Sequence, residues 1–162
     1  NALIPIKWVA VLNHQENIQK LIESLYYVLM NAARDDEAGY CVEDELKLVE
    51  NYAVIQKARF MNFELVIEKD ENCLTCRIRK FLLQPIIENA VNHGVEMCTG
   101  EGCIRFKMFM TDYHLVIRIS DNGAGMTQEM IQSVMAGKAR NNGEDRYSTG
   151  IAVGNVIDRL EL

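Results

Sequence analysis

Asp121-Asn122-Gly123-Ala124-Gly125 sets a carboxylate and two spaced glycines at the end of an alternating, β-branched run over residues 113–120. A period-two run that stops at an acid and then at glycine predicts a strand delivering Asp121 to a turn whose backbone stands open to a flat ligand. A carboxylate accepts hydrogen bonds and does not donate them, so it separates an amino-substituted ring from an oxo-substituted one. That chemistry suits an adenine amine, although D-x-G-x-G also describes ordinary turns. A second segment lies upstream, at residues 83–94, LQPIIENAVNHG. Ile86, Ile87, Ala90 and Val91 follow helical spacing, and Glu88, Asn89, Asn92 and His93 gather on the remaining arc. Such oxygen and nitrogen donors fit a hydrated Mg²⁺ carried by phosphates; a solvated helix face carries the same residue types. The third segment has Gly150 and Gly154 bracketing small residues just ahead of the amphipathic run Val153, Val156, Ile157 and Leu160. Glycines that open a helix leave backbone N–H groups and the positive end of its dipole free for an anion. The three segments together describe one nucleotide site.

These residues need a scaffold, and the chain changes character along its length. Ile18, Leu21, Ile22, Leu25, Tyr26 and Leu29 repeat at three- and four-residue intervals and predict one long amphipathic helix. After turn-forming residues 34–39, a second helix is expected from near Glu43, Asp44 and Glu45, whose charges favour a helix N-terminus, towards Phe60. Two helices joined in this way form an antiparallel hairpin that cannot cover both of its apolar faces. It either pairs with a second copy or docks on the domain C-terminal to it. From Phe63 the pattern becomes strands, at residues 63–68, 75–79, 103–110 and 113–120, with Thr111 and Asp112 turning the last two into a hairpin. Strands on one side and motif-bearing helices on the other make an α+β fold with a two-layer α/β sandwich. Residues 126–149 are polar, punctuated by Gly137, Asn141, Asn142 and Gly143, and carry Lys138, Arg140 and Arg146. A basic loop between two ligand-contacting segments is placed to close over a polyphosphate, and is equally what a solvated loop looks like.

The order of the three segments resembles the ATP-binding domain of sensor histidine kinases, with residues 83–94 as N box, 121–125 as G1 box, 126–149 as ATP lid and 150–160 as G2 box. Leu83, Gln84 and Pro85 ahead of Glu88 and Asn89, and the run from Val49 to Phe60 before them, are similar to the LytS-type branch. The resemblance implies a Bergerat-type fold of the GHKL superfamily at residues 62–162, without its C-terminal closing strands, preceded at residues 1–61 by a dimerisation-like helical hairpin. It implies ATP and Mg²⁺ as cofactors: Asp121 takes the adenine amine beside the close backbone of Gly123 and Gly125, and Asn89 coordinates Mg²⁺ with Glu88 next to it. Asn92, His93, Lys138, Arg140, Gly150 and Gly154 complete the nucleotide site on the same grounds. The implied activity is transfer of the ATP γ-phosphoryl group to a histidine and relay to a response regulator, within a homodimer. Pro85 stands where related ATPases carry a water-activating glutamate, which favours a kinase over a hydrolase. Besides the missing closing strands, three features depart from the family. Ala152 replaces the second glycine of G-x-G, and Asn92 replaces a lysine of the N box. The phosphoacceptor motif has no counterpart, since residues 1–8 resemble the stretch directly after that histidine and His14, His93 and His114 lie elsewhere. A non-binding regulatory or dimerisation module and a GHKL-type ATPase are the alternative readings.

Bulk properties agree. The 162 residues, 49% apolar, suffice for one domain or for a small domain with a helical appendage. A net charge of −6 argues against a direct nucleic-acid or anionic-membrane binder. No apolar run approaches a bilayer span and no signal-peptide layout is present, so a cytoplasmic location is expected, with any membrane anchor in other parts of a parent protein. Cys73, Cys76, Cys98 and Cys103 could be grouped into a four-thiolate zinc site, but they lack the usual flanking turns, and free thiols are the expectation.

Overall fold

A computed structural model describes residues 3–33, 40–59, 63–95 and 101–135. Three helices come first: α1 (Leu3–Leu12), α2 (Glu16–Ala33) and α3 (Val42–Arg59). Pro5 is tolerated in α1 because it sits in the first turn, where no N–H is owed to the helix. A separate α1 was not distinguished within the helical hairpin expected at residues 1–61, since its apolar residues run all round and mark no face. His14, at φ 53, turns the chain between α1 and α2, and the Gln15 N–H closes the turn on the Ala10 carbonyl at 2.9 Å. An exposed ion pair, Lys7 Nζ to Glu23 Oε1 at 2.7 Å, ties the two helices.

The sheet has three strands in the order β1 (Phe63–Lys69), β2 (Gly102–Met110), β3 (Leu115–Asp121). β1 and β2 are parallel, with Phe63 opposite Gly102, so the chain must cross over between them. It does so through α4 (Gln84–Asn89) and a π-helical continuation, Ala90–Val95. β2 and β3 form the expected antiparallel hairpin, with Ile104 opposite Asp121. A short helix, α5 (Gln128–Met135), comes next, and its Met130 N–H donates to the Thr127 hydroxyl at 3.2 Å.

Period-two burial on β2 makes the layers. Ile104, Phe106 and Met108 are buried, while Arg105 and Lys107 point outward with Glu68 of β1 3.8 Å from each. The inner face packs on Val42, Leu46, Val49 and Ala53 of α3 and on Ile87, Ala90 and Val91 of the crossover in one core. That core draws on both sides of the expected boundary at residues 61/62. Helix α2 behaves differently from α3. Of its apolar stripe Ile22 is buried, whereas Ile18, Leu25, Tyr26 and Leu29 are exposed, and docking on the sheet does not cover them.

Two strand expectations are corrected. Residues 75–79 are not a sheet strand; they make an isolated bridge, Cys41 to Arg77. The start of α3 has claimed their backbone: the Val42 N–H donates to the Cys76 carbonyl at 3.0 Å and the Glu43 N–H to Leu74 at 3.1 Å. Helix-terminal N–H groups need acceptors, and this segment supplies them. His114, expected on a strand, lies in the hairpin loop, where its N–H donates to the Thr111 hydroxyl at 3.0 Å.

Candidate functional site

Strand β3 ends on Asp121, whose side chain is exposed. Asp121 Oδ1 accepts the Gly123 N–H at 2.9 Å, a local turn that orients the carboxylate. Among the described residues its second oxygen has no partner and remains available to a donor. Asn122 fixes the turn to the beginning of β2. Its Oδ1 accepts the Cys103 N–H at 2.7 Å, its Nδ2 donates to the Glu101 carbonyl at 3.1 Å, and its own N–H donates to the Cys103 carbonyl at 3.2 Å. The role of Asn122 was not anticipated from sequence. The signal available was an amide, donor and acceptor at once, directly after the acid. Gly125 adopts φ +71, a conformation that favours glycine, and a methyl group there would meet nothing within 4 Å. The requirement at Gly125 is therefore conformational and not spatial.

The second cluster sits on the crossover. Ile87 is fully buried, which anchors α4 and leaves Glu88 and Asn89 half-buried at its end. Glu88 Oε1 accepts from Gln84 Nε2 at 2.8 Å. It also influences Tyr52 of α3: burial first, and the Glu88 charge second, push that phenol up to about 12. At Ala90 the helix widens to π, and the π segment packs on β2 and β3. A wider turn changes the angle between successive side chains along this segment. Asn92 is exposed beyond the half-buried Glu88 and Asn89, and His93 follows in the π turn. π-helical turns inside α-helices recur at functional sites.

How α4 is held was not legible in the sequence. Glu45, expected to serve a helix dipole, is 0% exposed and points from α3 at the chain leading into α4. Its Oε1 accepts the Phe81 N–H at 2.6 Å and its Oε2 the Leu83 N–H at 2.8 Å, with the Leu82 N–H and the Tyr40 hydroxyl also turned to it. Phe81 has φ 57, in the left-handed region, which brings these amides round to one point. Burial raises the Glu45 carboxyl above the usual carboxylate range, and the three amides and the Tyr40 hydroxyl oppose that rise. Asn31 of α2 extends the network, its Nδ2 lying 3.4 Å from the Tyr40 hydroxyl.

Lys138, Arg140, Ala152, Gly150 and Gly154, with the expected lid beyond residue 135 and the G2 box, lie outside the described residues. Among the described residues, no group of three or more His, Cys, Asp or Glu side chains could hold a metal ion by itself. Asn89 offers one neutral amide oxygen, a donor set that fits a Mg²⁺ whose other ligands are phosphate oxygens and water. Cys41, Cys73, Cys76 and Cys103 are free thiols. No described helix is long and apolar enough to cross a membrane. The groove between α1 and α2, lined by Leu3, Ile4, Ile22, Tyr26 and Met30 among others, contains none of the motif residues.

Two family models match this chain. One, described as histidine kinase, covers residues 1–63, and the other, described as histidine kinase-, DNA gyrase B-, and HSP90-like ATPase, covers residues 79–158. The sensor histidine kinase YesM of Bacillus subtilis is 29% identical over 163 residues, spanning all of this chain and 26% of that protein. The sensor histidine kinase YpdA of Escherichia coli is 28% identical over all of this chain and 27% of its own length. The sensor protein kinase HptS of Staphylococcus aureus is 32% identical over 117 residues, 72% of this chain and 22% of that protein. The chain thus spans about a quarter of the length of the curated relatives it matches.

Proposed function

The chain belongs to the histidine kinase family, and on that premise we propose that it forms the ATP-binding part of a two-component sensor kinase. The observation that carries this reading is Asp121, a strand-end carboxylate with one oxygen held by Gly123 and the other open to a donor. An adenine amine donates to that open oxygen, and the backbone at Gly123 and Gly125 lets the ring lie close. Asn89 is the protein's ligand to Mg²⁺, with Glu88 beside it, and Asn92 and His93 stand further along the same segment. Lys138 and Arg140 of the lid, with Gly150 and Gly154, attend the phosphates. Asn89 would hold a Mg²⁺ brought in with ATP, and that ion would supply neutralisation of the charge that builds on the phosphates during transfer.

The proposed reaction is an in-line displacement at the γ-phosphorus. A histidine nitrogen forms the new N–P bond, the bond to the β–γ bridging oxygen breaks, and ADP leaves. The acceptor histidine lies ahead of residue 1 in a longer parent protein, and the phosphoryl group passes from it to a response regulator. Pro85 in the first turn of α4 offers no base to activate water, which supports transfer over hydrolysis. The exposed apolar side chains of α1 and α2, among them Trp8 at 63% and Leu12 at 75%, suit a homodimer formed through these helices on the cytoplasmic side of a parent receptor.

Calorimetry with Mg²⁺ and a non-hydrolysable ATP analogue tests the reading. Wild type binds, and Asp121→Ala binds at least about tenfold more weakly, the loss of one good charged hydrogen bond. No binding by wild type would leave a regulatory or dimerisation module instead. Incubation with ATP should give no acid-labile phosphohistidine on His14, His93 or His114; its appearance on any of them would move the acceptor into this sequence.

A further inference from the structure

The entry to α4 is built unusually. Leu83, the residue at its N-terminal cap, makes no capping hydrogen bond with its own side chain. The left-handed Phe81 instead turns the amides of Phe81, Leu82 and Leu83 into one concave group of donors. Successive N–H groups arranged in this way form an anion-binding nest. Here the anion is supplied by the protein itself, from 36 residues away in sequence on α3, in the form of the Glu45 carboxylate. Packing alone does not require this. Leu46, Val49 and Ile87 already bring α3 and α4 into one core, and an apolar residue at position 45 would avoid burying a charge. What the carboxylate adds is direction: two oxygens, 2.6 and 2.8 Å from two amides, fix where the helix starts and how it is rotated. Asn89 ends this helix after six residues, so a rotation at Leu83 is carried to it with little chance to dissipate. On the other side, Tyr40 and Asn31 connect the same carboxylate to α2.

We propose that Glu45 is a positioning residue: its carboxylate links the helical segment to the start of α4, so that the placement of α3 determines the placement of Asn89 in the nucleotide site. This rests on the ATP-binding reading above, and it assigns to α3 a role in setting affinity as well as in building the core.

Glu45→Gln tests it with almost no change of volume. One amide oxygen can still accept, but the NH₂ group opposes the other backbone donor. The readouts are backbone amide exchange, resolved by residue in the unliganded chain, and calorimetric affinity for Mg²⁺ with a non-hydrolysable ATP analogue. The expected result is a folded variant with protection of Phe106 and Ile104 retained, protection of Phe81 and Leu83 down about tenfold, and nucleotide affinity down about tenfold. If that variant fails to fold, Tyr40→Phe removes one donor to the same carboxylate without touching α4, and about a threefold fall in both readouts is expected. Wild-type protection and affinity in either folded variant overturns the proposal, and so does loss of protection with unchanged affinity. Asp121→Ala serves as control, losing nucleotide while Phe81 and Leu83 stay protected. Should wild type bind no nucleotide, the ATP reading fails; the exchange measurement then still decides whether Glu45 holds α4, and wild-type exchange in Glu45→Gln overturns that too.

Discussion

Asn122→Ala separates the holding of the adenine-side turn from the stability of the sheet beneath it. The substitution removes the side-chain acceptor of the Cys103 N–H, at 2.7 Å, and the donor to the Glu101 carbonyl, at 3.1 Å. Each bond contributes about 0.5–1.5 kcal/mol net, and both are exposed enough for water to replace them in part, so the sum is about 1–2 kcal/mol. The β2–β3 ladder, in register from Met110 opposite Leu115 to Ile104 opposite Asp121, does not depend on this side chain. The loss therefore falls mainly on the turn. A turn that is ordered for a smaller fraction of the time lowers apparent affinity by that fraction, and 1–2 kcal/mol corresponds to roughly 5- to 30-fold. Calorimetry with the ATP analogue, run beside thermal unfolding, reads the two effects separately. Expected are an affinity loss in that range and a melting temperature lower by no more than about 2–8 °C. Wild-type affinity in Asn122→Ala would refute the reasoning, and so would an affinity loss explained entirely by global unfolding at the assay temperature.

Three further outcomes are expected. Phe106→Ala, at a fully buried position facing α3 and the crossover, should destabilise the chain by about 3–5 kcal/mol in denaturant unfolding; a loss below about 1 kcal/mol would mean that the inner face of β2 is not the core. Tyr52 should ionise near 12 in the folded state against 10 for a free phenol, so its contribution to stability is intact below about pH 10 and is lost as pH rises through about 12. The phenolate absorbance difference between wild type and Tyr52→Phe measures this, and Glu88→Gln should bring the ionisation down; a Tyr52 that titrates at 10 contradicts the burial described. Leu25→Glu with Leu29→Glu, on the exposed stripe of α2, should turn a dimer into a monomer in sedimentation while the far-ultraviolet circular dichroism stays the same; a wild type that is monomeric at high micromolar concentration removes the dimer from the proposal.

The parts of the fold legible in the sequence are those where one residue type has one physical use. Alternation over residues 103–110 could only be a half-buried strand, and Ile104, Phe106 and Met108 are buried as that pattern requires. Asp121 followed by glycines arrived at a strand end and a turn, as expected. Elsewhere a residue had two possible uses and the sequence could not choose. Residues 75–79 have strand composition, but the Cys76 carbonyl accepts the Val42 N–H at the open N-terminus of α3 and the Ile78 N–H donates to the Tyr40 carbonyl, an association between segments some 30 residues apart. Glu45 is indistinguishable in type from its neighbours Glu43 and Asp44, and yet it alone is buried against a backbone nest. The change from α to π at Ala90 leaves the apolar spacing of Ile86, Ile87, Ala90 and Val91 intact, so hydrophobic periodicity carries no sign of it.

The shared core bears on where this chain can be divided. Leu46, Val49 and Ala53 form one wall around Phe106, and the segment at residues 74–78 closes against Tyr40, Val42 and Glu43. A piece beginning at residue 62 would leave that wall missing and expose the buried face of β2 to water. One beginning at Tyr40 keeps the wall and gives up the packing of α2 on α3 together with the Asn31–Tyr40 hydrogen bond, while no residue of α1 or α2 belongs to the core around Phe106. Exchanges that graft other leading helices onto this sheet should therefore join ahead of Tyr40, because α3 travels with the nucleotide-binding layer despite belonging in sequence to the helices before it.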